Sequence, residues 1–202
     1  MMRRLAAAVS VALIGAVPAG CGLVDPGPAG SGRVVTEERA VAAFDRILVE
    51  EGLDLALEIV SGAGQRVSVS YDDNLLASIG TTVTDGVLHI EILESFRVTG
   101  GGRLVTVTTG RLEVLTADSG ADVRATGSVE DVEIEASGGA SLDLSLLEAR
   151  RITVKASGGA YLAVRASESV NGQASGGAEV LVLGDPASLD VATSGGARVV
   201  SE

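Results

Sequence analysis

A short corner sequence, Ser-Gly-Gly-Ala, recurs at a nearly constant interval through the C-terminal half of this 202-residue chain. It occupies residues 137–140, 157–160, 175–178 and 194–197, and a degenerate copy, Asp-Ser-Gly-Ala, occupies 118–121. Aligned on the glycine before the alanine, the series is Gly120, Gly139, Gly159, Gly177 and Gly196. Each step is about 19 residues long, and a period of this length indicates stacked structural repeats.

Short apolar alternations flank each corner. Val132 and Ile134 precede one corner, and Leu142 and Leu144 follow it. Because side chains two apart on a strand share a face, each repeat is predicted to supply two strands, with a third connecting edge such as residues 148–151. One repeat cannot bury its apolar face alone, whereas repeats paired in parallel about 4.8 Å apart can. We therefore predict an all-β fold, a single-stranded parallel β-helix of about 18–20 residues per coil.

The composition agrees with a narrow, stacked core. Aromatic residues are only 2% of the chain, so Val, Leu, Ile and Ala must fill the interior. The repeated glycine suits a corner that needs positive φ or close backbone approach. A β-sandwich with Gly-Gly hairpin turns is the alternative architecture. It gives no reason for a constant step of about 19 residues.

The N-terminus has the features of an export signal. Arg3 and Arg4 precede an apolar run, residues 5–17, which is shorter than the roughly 20 residues that span a bilayer. The only cysteine, Cys21, follows directly and cannot form an internal disulfide. Residues 17–21 resemble a bacterial lipobox, although Pro18 stands where an aliphatic residue is usual. We predict a signal peptide at 1–20 and an extracytoplasmic protein anchored to the cell membrane by lipid on Cys21; plain secretion is the alternative.

The following segment is rich in Gly and Pro. Residues 21–40 are predicted to carry the lipid and to form a flexible linker, and residues 41–202 to form the domain. The net charge is −12, and loss of Arg3 and Arg4 makes it −14. Such a charge disfavours nucleic acid as a partner.

The domain resembles the family of bacterial exported domains called "putative auto-transporter adhesin, head GIN domain". The resemblance runs from about Phe44 to Val200. It rests on the opening Phe44–Ile47, on the stretch Val67–Leu76, on Gly86–Ile90 and on the Ser-Gly-Gly-Ala corners. It implies a right-handed parallel β-helix at the cell envelope and carries no active site to this chain.

Motifs for chemistry are weak in this sequence. His89 is the only histidine, which excludes a histidine cluster, and its neighbours predict an outward strand position. The Ser-Gly-Gly-Ala segments lack the lysine of a phosphate-binding loop, and Lys155 is the only lysine. Aspartates do not recur at one repeat position, as calcium-binding β-rolls require, and Asp72-Asp73-Asn74 is interpreted as a polar turn with local side-chain caps. We predict no catalytic, cofactor or metal site.

One enzymatic alternative stays open, a glycan-active lyase or hydrolase, because many such enzymes are β-helices. Its catalytic groups would come from an acidic face and the basic corner Arg150-Arg151. The acidic face comprises Glu113, Glu130, Glu133 and Glu135. The preferred hypothesis is a non-catalytic module for binding or adhesion, whose partner is an envelope protein or glycan. An accessory role in envelope stress sensing fits equally well, and the sequence does not define the oligomeric state. Polar residues Arg198, Ser201 and Glu202 are expected to discourage end-to-end pairing.

Overall fold

The computed structural model describes residues 27–98 and 100–202. Within these ranges the chain forms fourteen β-strands in one sheet and a single 3-10 turn at Leu76–Ser78. The N-terminal strands are β1 (Val34–Arg39), β2 (Arg46–Val49), β3 (Asp54–Ile59), β4 (Arg66–Asp72), β5 (Ile79–Thr84), β6 (Val87–Ile92) and β7 (Leu104–Thr109). The C-terminal strands are β8 (Val114–Ala117), β9 (Asp122–Ala136), β10 (Ser141–Ala156), β11 (Tyr161–Ala174), β12 (Glu179–Leu183), β13 (Ser188–Thr193) and β14 (Arg198–Ser201). The predicted all-β fold is confirmed.

The C-terminal strands pair in parallel with a nearly constant offset. β9, β10 and β11 lie side by side, β12 and β13 pair with β11, and β14 pairs with β12. One column of register partners runs through Asp122, Ser141, Tyr161, Glu179 and Arg198. The chain therefore returns to the same place once in about 18–20 residues, as the corner spacing predicts.

The core is a set of apolar columns between successive returns of the chain. Val123, Leu142, Leu162 and Val180 are register neighbours, and each is 0% exposed. A second column contains Ile134, Val154 and other buried aliphatic residues. Burial of each such side chain contributes about 1.5–3 kcal/mol, so stacking supplies the stabilisation that one repeat lacks.

The N-terminal half joins the stack but does not simply continue it. β2 and β3 extend the parallel pairing, because β3 pairs in parallel with β9 and β2 with β8. Beyond them, β7 is parallel to β3 and β6 to β2, whereas β1, β4 and β5 are antiparallel to their neighbours. Antiparallel pairs therefore lie at this end of the stack, and of these only β5 and β6 are joined by a short turn.

Two expectations need correction. The predicted flexible linker extends to residue 40, yet β1 pairs with β4 and Gly30 N–H donates to the Arg97 carbonyl at 2.8 Å. β1 is therefore an edge strand of the sheet, and Ala29 adds an isolated bridge to Arg97. Residues 148–151 form no separate third edge, since they lie within the continuous strand β10, where the register shifts locally.

Candidate binding surface

The Gly-Gly corners are tight four-residue turns whose two central residues both have positive φ. At residues 137–140, Gly138 and Gly139 have φ of 60° and 82°, and Ala140 N–H donates to the Ser137 carbonyl at 3.0 Å. The corner glycines predicted from the sequence lie at the second central position. Their φ values run from 81° to 90° at Gly120, Gly139, Gly159, Gly177 and Gly196. Such a turn favours glycine because an L side chain is strained there.

The first glycine of each corner carries a different constraint, which the sequence alignment missed. A Cβ built on Gly158 would lie 3.0 Å from the backbone nitrogen of Gly138, and Gly176 meets Gly158 in the same way. A Cβ on Gly159 or Gly177 would meet nothing within 4 Å. The first glycines thus allow successive corners to stack closely, and the second glycines serve the backbone conformation alone.

A sixth corner lies in the N-terminal half. Glu51 and Gly52 have φ of 61° and 71°, and Leu53 N–H donates to the Glu50 carbonyl at 3.4 Å. Only Gly52 matches the repeated motif. Because Glu51 stands where the repeated motif has its first glycine, the motif does not predict this corner. The apolar alternation of β2 and β3 on its two sides does indicate one.

Midway between successive corners the surface forms a concave groove of about 1180 Å³. Its floor and walls come from β9, β10 and β11 near residues 128–133, 148–153 and 165–171, with residues 110–113 at one side. We call five charged residues at the groove the charged cluster. Four of them, Glu130, Asp131, Arg150 and Arg151, line the groove, and the fifth, Glu168, lies beside it and pairs with both arginines.

Arginines from β10 join the carboxylates of both neighbouring strands. Arg151 binds Asp131 through two contacts, Nε to Oδ1 at 2.5 Å and Nη2 to Oδ2 at 2.6 Å, and it also donates to Glu168 at 3.1 Å. Arg150 donates to Glu168 through Nε at 2.9 Å, and lies 3.9 Å from Glu130. These side chains are 41–78% exposed, so screening by solvent leaves each pair with little net contribution to stability. Their main effect is to fix the orientation of charged groups on the groove surface.

A second pair of carboxylates flanks the only lysine. Lys155 Nζ lies 2.5 Å from Glu133 and 2.8 Å from Glu135, and these hydrogen bonds raise the pKa of Lys155. Glu113, the remaining member of the predicted acidic face, pairs with Arg111. Of the predicted acidic face, Glu130 is therefore the one residue that lies within ion-pair distance of the basic corner, 3.9 Å from Arg150. The repeat period was a sufficient signal, since a step of about 20 residues takes Arg151 to Asp131 and Lys155 to Glu135.

Hydrogen bonds favour the ionised form of two carboxylates in the cluster, Asp131 and Glu168. The hydrogen bond from Arg151 lowers the pKa of Asp131, and the hydrogen bond from Arg150 lowers the pKa of Glu168. A catalytic general acid needs the opposite shift, towards a pKa near neutrality. The arrangement suits recognition of a charged or hydroxyl-rich ligand by fixed donors and acceptors.

One buried ion pair lies away from the groove. Arg103 Nε donates to Asp72 Oδ2 at 2.5 Å, and the two side chains are 7% and 0% exposed. Gly32 N–H donates to the other Asp72 oxygen at 2.6 Å. The predicted turn is present, since Leu75 N–H donates to the Asp72 carbonyl at 2.8 Å, but the Asp72 side chain binds Arg103 and Gly32 rather than acting as the expected local cap. The neighbouring Asp73 accepts hydrogen bonds from Ser31 and Arg33, which lie 42 and 40 positions away in the sequence. Arg103 lies 31 positions away, and no local pattern could have revealed it.

The remaining predicted residues have simple positions. His89 is half-buried on β6 between the fully buried Leu88 and Ile90. Cys21 lies outside the described residues. Residues 27–98 and 100–202 contain no cluster of three His, Cys, Asp or Glu side chains suited to a metal ion. In the same ranges, no helix has the length and apolar character needed to cross a bilayer.

Comparison with known proteins identifies the family. The family described as "Putative auto-transporter adhesin, head GIN domain" matches residues 43–126 and 96–186. The chain belongs to this family, and the resemblance predicted from its sequence is confirmed. A search of curated proteins gave no match.

Two solved structures resemble the fold. A "putative adhesin" from Bacteroides fragilis NCTC 9343 is 15% identical, with a TM-score of 0.50, and the match covers 86% of this chain and 99% of that chain. A "putative adhesin" from Parabacteroides distasonis ATCC 8503 is 18% identical, also with a TM-score of 0.50, and covers 87% and 99%. At these identities the likeness concerns the fold alone.

Proposed function

We propose that this protein is a non-catalytic, lipid-anchored envelope protein that presents a rigid β-solenoid surface for binding or adhesion. The observation that carries the proposal is the groove with its charged cluster, built on continuous strands. Strand-borne side chains cross-linked by ion pairs give a preorganised surface, which lowers the entropic cost of binding. Family membership and the adhesin names of the two similar structures support a role at the cell surface.

The scaffold itself is proposed to be a single-stranded right-handed parallel β-helix. The parallel register, with its offset of about 18–20 residues, and the stacked corners support the helix. The right hand follows from the family resemblance. In such a scaffold each coil contacts only its neighbours, so exposed columns can vary in sequence without disturbing the core.

The preferred partners are envelope glycans or envelope proteins with mixed charge. The groove offers arginine donors beside ionised carboxylates, a combination that can bind hydroxyl groups, carboxylates and cationic groups together. The lowered pKa values of Asp131 and Glu168 do not suit either residue as the general acid of glycan cleavage.

Lipid on Cys21 is proposed to hold the protein at the outer face of the cell membrane. Incorporation of radiolabelled lipid by the full chain, with Cys21→Ala as the control, tests the anchor, and fractionation locates both forms. Equal labelling of the two forms would refute lipidation.

The binding role is tested with purified protein and immobilised cell walls and cell-surface polysaccharide. The double variant Arg150→Gln/Arg151→Gln removes two cations from the groove and should lower binding at least tenfold. Arg33→Gln/Arg66→Gln makes the same change of charge at exposed positions outside the groove and should bind as the wild type does. Equal binding by both variants, or no binding by the wild type, would contradict the proposal. Release of soluble sugar products by the wild type would favour the enzymatic alternative instead.

A further inference from the structure

The last coil leaves strand edges open. Among the described residues, β14 pairs only with β12 and β13 only with β11. Arg198 N–H donates to the Ala178 carbonyl at 2.9 Å, and Glu202 N–H donates to the Val182 carbonyl at 3.0 Å. In a parallel ladder, alternate residues direct both backbone groups to the same neighbour. The N–H and C=O groups of Val199 and Ser201 therefore point to the open edge.

The aliphatic core positions are also partly exposed to solvent at this coil. Val180 and Val170 are 0% exposed, whereas their register neighbours Val199 and Leu189 are half-buried and 41% exposed. Val200, on the outer face of β14, is 42% exposed. An open strand edge beside exposed aliphatic side chains is a template for pairing with another strand.

Arg198 on β14 and Glu202, the residue after β14, carry charges that are complementary to those of a second copy. If β14 pairs antiparallel with its copy about an axis at Val200, then Arg198 lies opposite Glu202, and Val199 lies opposite Ser201. The free backbone groups of Val199 and Ser201 then face each other as a hydrogen-bonded pair. Within the described part of the chain, Arg198 and Glu202 have no ion-pair partner, and opposite charges directly across a ladder are stabilising.

Other registers lack this match. A shift of the axis by one residue places Arg198 opposite Val200 and leaves both charges unpaired. The opposite end of the stack is different, because its edge strand β1 exposes the adjacent carboxylates Glu37 and Glu38, which discourage pairing. The sequence analysis expects Arg198, Ser201 and Glu202 to discourage end-to-end contact. In the register with the axis at Val200, their charges are matched instead.

We propose that two copies of this chain associate end to end about a two-fold axis at Val200, with β14 pairing antiparallel to β14 of the second copy. Such an interface is isologous, so each Arg198–Glu202 contact occurs twice. The exposed aliphatic residues of the last coil become covered, and the two sheets become continuous.

Molecular mass in solution provides the first test, on the full chain carrying Cys21→Ser so that no native thiol remains. The parent chain should have twice the mass of one copy. Val200→Lys places like charges across the axis and should give the mass of one copy, with an unchanged far-UV circular dichroism spectrum. Val34→Lys, at a similarly exposed valine on β1, should remain dimeric.

Charge exchange tests the register itself. Arg198→Glu should weaken the dimer at least tenfold, and Arg198→Glu/Glu202→Arg should restore it, an outcome that a merely structural role of Arg198 would not produce. In the same background, Val200→Cys should form an intermolecular disulfide, because the residues on the axis face each other. A monomeric parent chain, or a Val200→Lys variant that stays dimeric, would overturn the proposal.

Discussion

Gly172 is the position at which the structure makes its sharpest prediction. This residue of β11 has φ of 139°, and it lies in register with Val154 of β10. A Cβ at this position would lie 1.9 Å from the carbonyl oxygen of Val154 and 2.8 Å from its carbonyl carbon. Both obstacles are backbone atoms in the middle of a parallel ladder. Replacement by alanine must therefore separate the two strands.

The magnitude follows from a comparison with Gly177 in the adjacent corner. Gly177 has φ of 90°, and a Cβ there would meet nothing within 4 Å, so Gly177→Ala costs only the left-handed backbone, about 1–2 kcal/mol. At Gly172, reaching a separation of 3.0 Å from 1.9 Å requires a shift of at least 1.1 Å. Such a shift breaks ladder hydrogen bonds and opens the packed column beneath them. We expect a loss on the order of 4 kcal/mol, near the upper end for single substitutions.

Urea denaturation followed by far-UV circular dichroism measures this difference. The midpoint should fall much further for Gly172→Ala than for Gly177→Ala, and the melting temperature should drop by roughly 10 °C for the former. The denaturant slope needs to match that of the wild type, because stacked repeats can unfold in parts. If Gly172→Ala is no more destabilising than Gly177→Ala, the close approach of β10 and β11 is wrong.

Three further predictions use matched pairs. Arg103→Met leaves Asp72 buried without its partner and should lower the melting temperature. The control Arg66→Met should lower it several times less, because Arg66 is 71% exposed. Equal losses of melting temperature would contradict the buried ion pair. The hydrogen bond from Arg103 lowers the pKa of Asp72, so its stabilisation is complete above the unfolded pKa of about 4 and is lost as pH falls through the folded value. Calorimetry from pH 5 downwards should show a steeper loss for the wild type than for Arg103→Met. Leu142→Ala should cost about 2–5 kcal/mol in urea and Leu146→Ala under about 0.5, because Leu142 is 0% exposed and Leu146 is 70% exposed.

The repeated half of the fold was predictable because one period controls several properties at once. The same step of about 18–20 residues sets the corners, the apolar columns and the parallel register. The steric role of the first glycines was not predictable, because it depends on how closely successive corners approach. Residues 158 and 159 are both glycine, yet only a Cβ on Gly158 would contact the preceding corner, at Gly138.

The N-terminal half resisted prediction for a different reason. Its antiparallel strands and the Asp72–Arg103 pair depend on contacts between segments with no shared pattern. Residues 27–40 have a linker-like composition, and β1 is ordered only because β4 offers an open edge beside it. Local composition does not report such tertiary pairing.

The charged cluster and the open edge have separate positions in the fold, and this separation has a functional consequence. The cluster lies on β9, β10 and β11, whereas Val200 lies on β14, so Val200→Lys should leave the intrinsic affinity of the groove unchanged. An end-to-end dimer would carry two grooves, and on a surface with closely spaced ligands it should bind more tightly than one copy, by up to about 10²–10⁴-fold. Binding of Val200→Lys should therefore fall on densely coated surfaces and match the parent chain on sparse ones. A loss of binding that is independent of ligand density would mean that the last coil contacts the ligand directly.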